Sequence, residues 1–251
     1  MSNEIMISEG KPDYTKLSFP DPPNKRPYVY INMIMSTDGR IVINDTEEGL
    51  GSTTDRRLMR ELRVNADIVL CGASTLRING ASSRLGDPNL IDLRKQRNQT
   101  DAPIAAVLTN TGNLPLDSVF FQGKDFEAIV YVGSNITSEK LTLLQSSTRR
   151  VFQLPKENSV EWMLSHMRNN LGARYLLLEG GANINGQFLS ADLVDEYFLT
   201  IGSQIVNNKN PLTPFSSNNY PSPEKSANLE LLSVAANKKT NEVFLRYKIK
   251  H

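Results

Sequence analysis

Two bends in the chain combine glycine with polar groups directly after an apolar run. One is Cys71-Gly72-Ala73-Ser74-Thr75, after Ile68-Val69-Leu70; the other is Glu179-Gly180-Gly181-Ala182-Asn183, after Leu176-Leu177-Leu178. A residue without a Cβ lets a flat or charged ligand lie against the main chain. Free amides at a helix start then point at phosphate, and the hydroxyls of Ser74 and Thr75 add donors. A tight strand-to-helix turn without a ligand explains the second bend at least as well on its own, and a helix cap at Ser74 or Thr75 does the same for the first. Neither has the GxGxxG or GxxxxGK[ST] spacing, so nothing here supports nucleotide hydrolysis. The pair matters more than either member: in a parallel sheet the carboxyl ends of the strands share one edge, where ligands bind.

Other polar residues divide between chemistry and architecture. Asp38, in Ser36-Thr37-Asp38-Gly39, is either an acid or orienting carboxylate, or an ordinary turn aspartate beside glycine. Glu179 emerges from a core strand and either anchors nearby amides, the simpler role, or takes part in catalysis. Arg63 falls late in a helix, where a cation suits the negative end. Cys71 reads as a buried structural thiol. His166 and His251 form neither a metal set nor a triad, so no metal is expected. Trp162 and Phe188 are expected in the core. With no evident nucleophile or metal, hydride transfer fits, because there the cofactor carries the chemistry and the protein positions it.

The elements that must position these groups follow from pattern. Residues 1–27, with prolines at 12, 20, 22, 23 and 27, read as an extended arm that wraps the body or stays loose. Regular structure is expected from Tyr28, with strands over 28–34, 66–71, 104–109, 128–132, 151–154, 174–178 and 195–201, and a short one over 40–43. Helices are expected from a cap at Ser52 or Thr54, over 138–145, from a cap at Ser159 to Gly172, and over 183–190. Residues 78–99 show little periodicity and read as loop, as do 207–226, whose length suits a lid, an interface loop or an arm. A hairpin over 229–236 and 242–249 closes the chain. The fold class is α/β: a mixed, mostly parallel sheet flanked by helices, with a C-terminal antiparallel hairpin.

Composition narrows the classes of function. The 251 residues carry 28 Lys plus Arg against 27 Asp plus Glu, so there is no bulk field to attract nucleic acid or an anionic membrane. The single cysteine excludes an intrachain disulfide and a cysteine-rich zinc module. No run approaches the ~20 apolar residues of a membrane span, and the first 27 residues do not read as a secretory signal, so a cytoplasmic protein is expected.

The order of motifs resembles the reductase domain of riboflavin biosynthesis, the RibD C-terminal type with a dihydrofolate-reductase-like fold. The resemblance is carried by Ser36-Thr37-Asp38-Gly39-Arg40-Ile41, by Leu62-Arg63 ahead of Ala66-Asp67, and by Val69-Leu70-Cys71-Gly72-Ala73-Ser74-Thr75. Leu178-Glu179-Gly180-Gly181-Ala182-Asn183, followed by Leu193-Val194-Asp195-Glu196, completes it. It covers residues 28–249, with 1–27 as a separate arm. It implies an enzyme, a homodimer, that uses NADPH to reduce the ribosylamino group of 5-amino-6-(5-phosphoribosylamino)uracil, a small pyrimidine, to a ribitylamino group. Alternatives are a related reductase of another substrate and a nucleotide-binding protein that has lost turnover.

By the same resemblance, Gly72 and Thr75 approach the cofactor from one strand end. Glu179, Gly180, Gly181, Ala182 and Asn183 form the diphosphate loop, Thr109 meets the adenosine side, and Gly202 matches a further glycine of the cofactor region. Asn32, Ser36 and Asp38 face nicotinamide and substrate, with Asp38 as proton relay and Arg63 as ligand of the substrate phosphate. The chain departs from the family after Thr75, where an aspartate, a proline and a leucine-threonine-rich stretch are missing. Arg84 and Arg94 are therefore only loose candidates for phosphate contact. Glu61 replaces the usual histidine ahead of Leu62-Arg63, and the HxE and PCxxC zinc signature of a deaminase is missing from these residues. No basic residue is placed for the 2′-phosphate that separates NADPH from NADH.

Overall fold

The computed structural model describes residues 6–44, 46–209, 212–216 and 226–251. Among these, ten strands form one sheet: β1 (Met6–Glu9), β2 (Tyr28–Met35), β3 (Ile68–Gly72), β4 (Ile104–Thr109), β5 (Ala128–Val132), β6 (Arg150–Gln153), β7 (Tyr175–Leu178), β8 (Glu196–Ile201), β9 (Asn228–Asn237) and β10 (Glu242–Lys250). Their order is β1-β9-β10-β8-β2-β7-β3-β4-β5-β6. Every pairing from β8 to β6 is parallel, while β10 runs antiparallel to both β8 and β9. The expected mixed sheet with a C-terminal hairpin is therefore the observed fold.

Parallel strands covered on both faces read as unbroken apolar runs, and successive side chains go to opposite faces. Val29 and Ile31 pack beneath α6 (Ser159–Asn169) and α7 (Ala182–Ser190), against Met163, Met167, Ile184 and Phe188. Tyr28 and Tyr30 face α1 (Thr53–Val64), meeting Leu58, Leu62 and Phe198. Farther along that face, α2 (Ala73–Asn79), α4 (Val119–Gln122) and α5 (Ser138–Gln145) deliver Leu76, Phe120, Phe121 and Leu144 onto Val107 and Val130. Ser52 caps α1 through the amides of Thr54 and Asp55.

Several expectations need correction. Regular structure begins before Tyr28, because β1 pairs in parallel with β9. The arm that follows wraps the body: Phe19 lies 4.7 Å from the Tyr30 ring, and Lys11 pairs with the buried Glu61. Residues 40–43 are not a strand, with only an isolated bridge between Ile43 and Thr46. The segment 78–99 contains α3 (Pro88–Gln96), started by an Asp87 cap and a proline in the first turn, a signal legible in Asp87-Pro88. Asn158, in left-handed conformation, precedes α6, and Ser159 is its first helical residue. Trp162 is 39% exposed and stacks on His166 instead of entering the core. Part of 207–226 lies outside the described residues.

Candidate functional site

The parallel pairing of β7, β3 and β4 brings three strand ends to one edge, and a cleft of about 370 Å³ opens there. Gly72, Ala73, Ser74 and Thr75 form one wall, and Gly181, Ala182 and Asn183 the facing one. The bends touch: the Gly72 amide donates to the Gly180 carbonyl at 2.9 Å. A Cβ on Gly72 would stand 3.7 Å from the Gly181 nitrogen, and one on Gly181 would stand 3.4 Å from Thr75 Oγ1. Main chain and hydroxyl thus make a cradle whose open space exists because neither residue has a side chain. The Gly180–Gly181 peptide is cis.

The cleft continues past β4, where Leu108, Thr109, Asn110 and Thr111 line it together with Arg77 and Ile78 of α2. Thr109 Oγ1 accepts from the Gly112 amide at 3.1 Å, which shapes the loop. The other end is walled by Ile41, Val42, Glu47, Leu212 and Ser216. Segment 212–216 is tied down from both sides. The Ile41 amide donates to the Leu212 carbonyl at 3.1 Å, the Ser216 amide to that of Ala182 at 2.9 Å, and Asn185 Nδ2 to that of Pro214 at 3.0 Å.

Of the residues singled out in the sequence, Gly72, Thr75, Thr109, Gly181, Ala182 and Asn183 meet in this cleft, with Gly180 directly behind. The remainder are placed elsewhere. Asp38 accepts from Ser36 Oγ at 2.6 Å and from the amides of Val206 and Asn207 at 3.0 and 2.9 Å. The Ser36 hydroxyl and those two amides hold its carboxyl well below the usual range. A carboxylate so stabilised is a poor proton donor at neutral pH, and its position makes it the anchor of the strand-to-strand loop. Ser36 is fully buried, donating to Asp38 and accepting from the Arg40 amide.

The cations named for the substrate phosphate are engaged within the fold. Arg63 Nε and Nη2 each donate to Glu179 at 2.6 Å, and Nη1 donates to the Arg84 carbonyl. Glu179 therefore anchors β7 to α1, and its carboxylate is not among the lining groups. Arg84 pairs with Asp125. Arg94 is buried and donates to the carbonyls of Arg63, Val64, Ala66 and Thr100, closing the end of α1. Asn32 lies on the α1 side of β2, opposite Phe198. A Cβ on Gly202 would stand 2.7 Å from the Leu50 carbonyl, so that glycine admits close approach of a neighbouring loop. Burial, with the nearby Glu179 carboxylate, pushes the Cys71 thiol up to about 12, consistent with a structural thiol.

Sequence reasoning missed Arg77, Asn110, Thr111 and the apolar walls from Ile41 and Leu212. Arg77 stands one helical turn beyond Ala73, a spacing that puts both on one helix face. The walls carry no local signal, because they come from loops returning across the sheet edge.

The RibD C-terminal domain family matches residues 27–241. The chain is 26% identical, over 190 residues, to the 2,5-diamino-6-ribosylamino-4(3H)-pyrimidinone 5′-phosphate reductase of Methanothermobacter thermautotrophicus, spanning 75% of this chain and 83% of that protein. Its fold is similar to that of a pyrimidine reductase-like protein from Corynebacterium diphtheriae, with a TM-score of 0.80 at 21% identity over 90% of this chain and 92% of that one. It is also similar to the riboflavin biosynthesis reductase of Saccharomyces cerevisiae, with a TM-score of 0.61 at 18% identity over 91% and 92% of the two chains. A match across most of the sequence, on a sheet whose strand ends carry both glycine bends, makes this chain a member of the RibD C-terminal domain family.

Proposed function

We propose that the protein is an NADPH-dependent reductase of a phosphoribosylaminopyrimidine, converting its ribosylamino group to a ribitylamino group. The observation that carries this reading is the single cleft walled by the two glycine bends. Its residues fit a dinucleotide. The cradle at Gly72 and Gly181 leaves room against the main chain, and the start of α7 presents amides at Ala182 and Asn183 for the diphosphate. Leu108 to Thr111 receive the adenosine half.

Bound in this cleft, a reduced nicotinamide would supply a hydride to the ribose C1 carbon of the ring-opened imine, the C=N π pair passing to nitrogen, which takes a proton from solvent. The walls from Ile41, Val42 and Leu212 exclude water from the reacting end and hold the partners in approach geometry. The resemblance implies the uracil as substrate; the archaeal relative is named for a pyrimidinone phosphate instead. Both carry the phosphoribosylamino group, so both are assayed. The burial of Arg63 against Glu179 and of Arg94 among backbone carbonyls favours one second reading, a related reductase whose substrate is not gripped by these cations.

The test incubates purified protein with NADPH and each pyrimidine, following loss of the reduced nicotinamide absorbance and formation of the ribityl product. Loss above a protein-free control is expected with at least one of them. No loss with either, when NADPH binds, overturns the pathway substrate and leaves the second reading. The family resemblance also implies a homodimer, which light scattering on the purified protein checks.

A further inference from the structure

Among the described residues lining the cleft, Arg77 is the one basic side chain. It is exposed, yet its guanidinium is held from two sides: Nη2 donates to Ser74 Oγ at 2.9 Å and Nη1 to the Asn113 carbonyl at 2.9 Å. Both partners are neutral, so the charge is positioned without being compensated by them. Ser74 ties it to the start of α2, and Asn113 ties it to the loop after β4. That location is the end of the cleft away from α7. β7 and β4 flank β3, two strand spacings or roughly 10 Å apart. A diphosphate at Gly181 to Asn183 would therefore place the adenosine ribose, not the nicotinamide, beside Arg77. Asn110 and Thr111 line the same end with polar groups, and Ile78, 56% exposed, offers an apolar surface next to them.

We propose that Arg77, oriented by Ser74 and the Asn113 carbonyl, reads the phosphate on the 2′-hydroxyl of the adenosine ribose and thereby selects the phosphorylated dinucleotide. The assignment rests on the dinucleotide reading of the cleft. A guanidinium offers a planar fork of donors that matches phosphate oxygens, and its charge strengthens each hydrogen bond. The unphosphorylated dinucleotide presents only a hydroxyl at that point and gains little from the fork.

The test is direct binding, by calorimetry, of NADPH, NADH, 2′,5′-ADP and 5′-AMP to the full chain and to Arg77→Ala and Arg77→Gln. The parent should bind NADPH about tenfold or more tightly than NADH, and 2′,5′-ADP likewise over 5′-AMP. Both variants should lose most of that ratio by weakening the 2′-phosphorylated ligands, with NADH and 5′-AMP changed by no more than about twofold. Arg77→Gln keeps a neutral amide donor at the position, so agreement of the two variants assigns the effect to the lost charge. A ratio unchanged in both variants, or an equal loss for NADPH and NADH, overturns the role of Arg77 while leaving the cleft reading intact. Failure of the folded parent to bind any of the four ligands overturns both.

Discussion

Arg63 and Glu179 face each other between α1 and the end of β7, with two guanidinium nitrogens each 2.6 Å from a carboxylate oxygen. Both side chains are largely buried, at 10% and 12% exposure. The pair holds the residue just before the Gly180–Gly181 bend, so one wall of the cleft is positioned from the opposite face of the sheet. Removing one partner leaves the other charge desolvated, which is strongly destabilising, whereas an isosteric apolar pair is tolerated. Arg63→Ala should therefore lower stability by about 3 kcal/mol in urea denaturation, and Glu179→Gln by a similar amount. The double variant Arg63→Met/Glu179→Leu should recover much of the loss; purely additive losses would count against the pairing.

The two glycines of the second bend should respond differently. Gly181 has φ −70°, which any residue adopts, and the Cβ of a replacement would reach Thr75 Oγ1 at 3.4 Å. Gly181→Val should retain the fold and reduce dinucleotide affinity by about tenfold or more, because its methyls fill the cradle. Gly180 has φ +79°, and a Cβ there would stand 3.2 Å from Met33 Sδ. Gly180→Ala should cost about 1–2 kcal/mol of stability from backbone strain alone. Calorimetric binding and thermal melts on the two variants separate these outcomes.

Asp38 joins the turn after β2 to the loop after β8. Asp38→Ala removes the acceptor of Ser36 Oγ and of two loop amides, so limited proteolysis should cut first near residues 204–208 in the variant. Its carboxyl is held below its ordinary value of 3.8, so the stability it contributes is present above about pH 4 and is lost as pH falls below that. Asp38→Asn should leave the pH dependence of turnover between about pH 6 and 9 unshifted. A shifted profile would restore the proton relay implied by the family resemblance.

Asp55 has the opposite sign. Burial, with Glu242 nearby, pushes its carboxyl up to about 6, while the Thr200 hydroxyl donates to it. A Cβ on Gly51 would lie 2.6 Å from its Oδ2, so the preceding loop sits directly over it. The folded chain holds this proton more tightly than the unfolded one, whose aspartate titrates near 3.8. Stability from this group is complete below about pH 4 and is lost as pH rises through 6. Asp55→Asn should be more stable than the parent by about 3 kcal/mol at pH 7.5, with the difference vanishing near pH 4. A difference independent of pH would refute this.

Much of the architecture was legible because it is local. Apolar runs ended by glycine mark β3 and β7, Ser52 marks the start of α1, and the terminal alternation marks β9 and β10. α3 was missed because its apolar face is short, although Asp87-Pro88 announces its start. The arm's part in the sheet was missed because β1 is four residues long and pairs more than two hundred residues away.

For the site, sequence alone determined which backbone bends lack a Cβ, and hence where a ligand has room to approach, because that is a property of single residues. Only the tertiary structure decided which charges are free to meet that ligand. Arg63, Arg84, Arg94 and Asp38 are engaged by partners from 2 to 169 positions away, while Arg77 donates, among the described residues, to the neutral Ser74 hydroxyl and Asn113 carbonyl. A charge is compensated by whatever lies within a few ångströms, and that distance is set by the crossing of chain segments, not by their spacing along it.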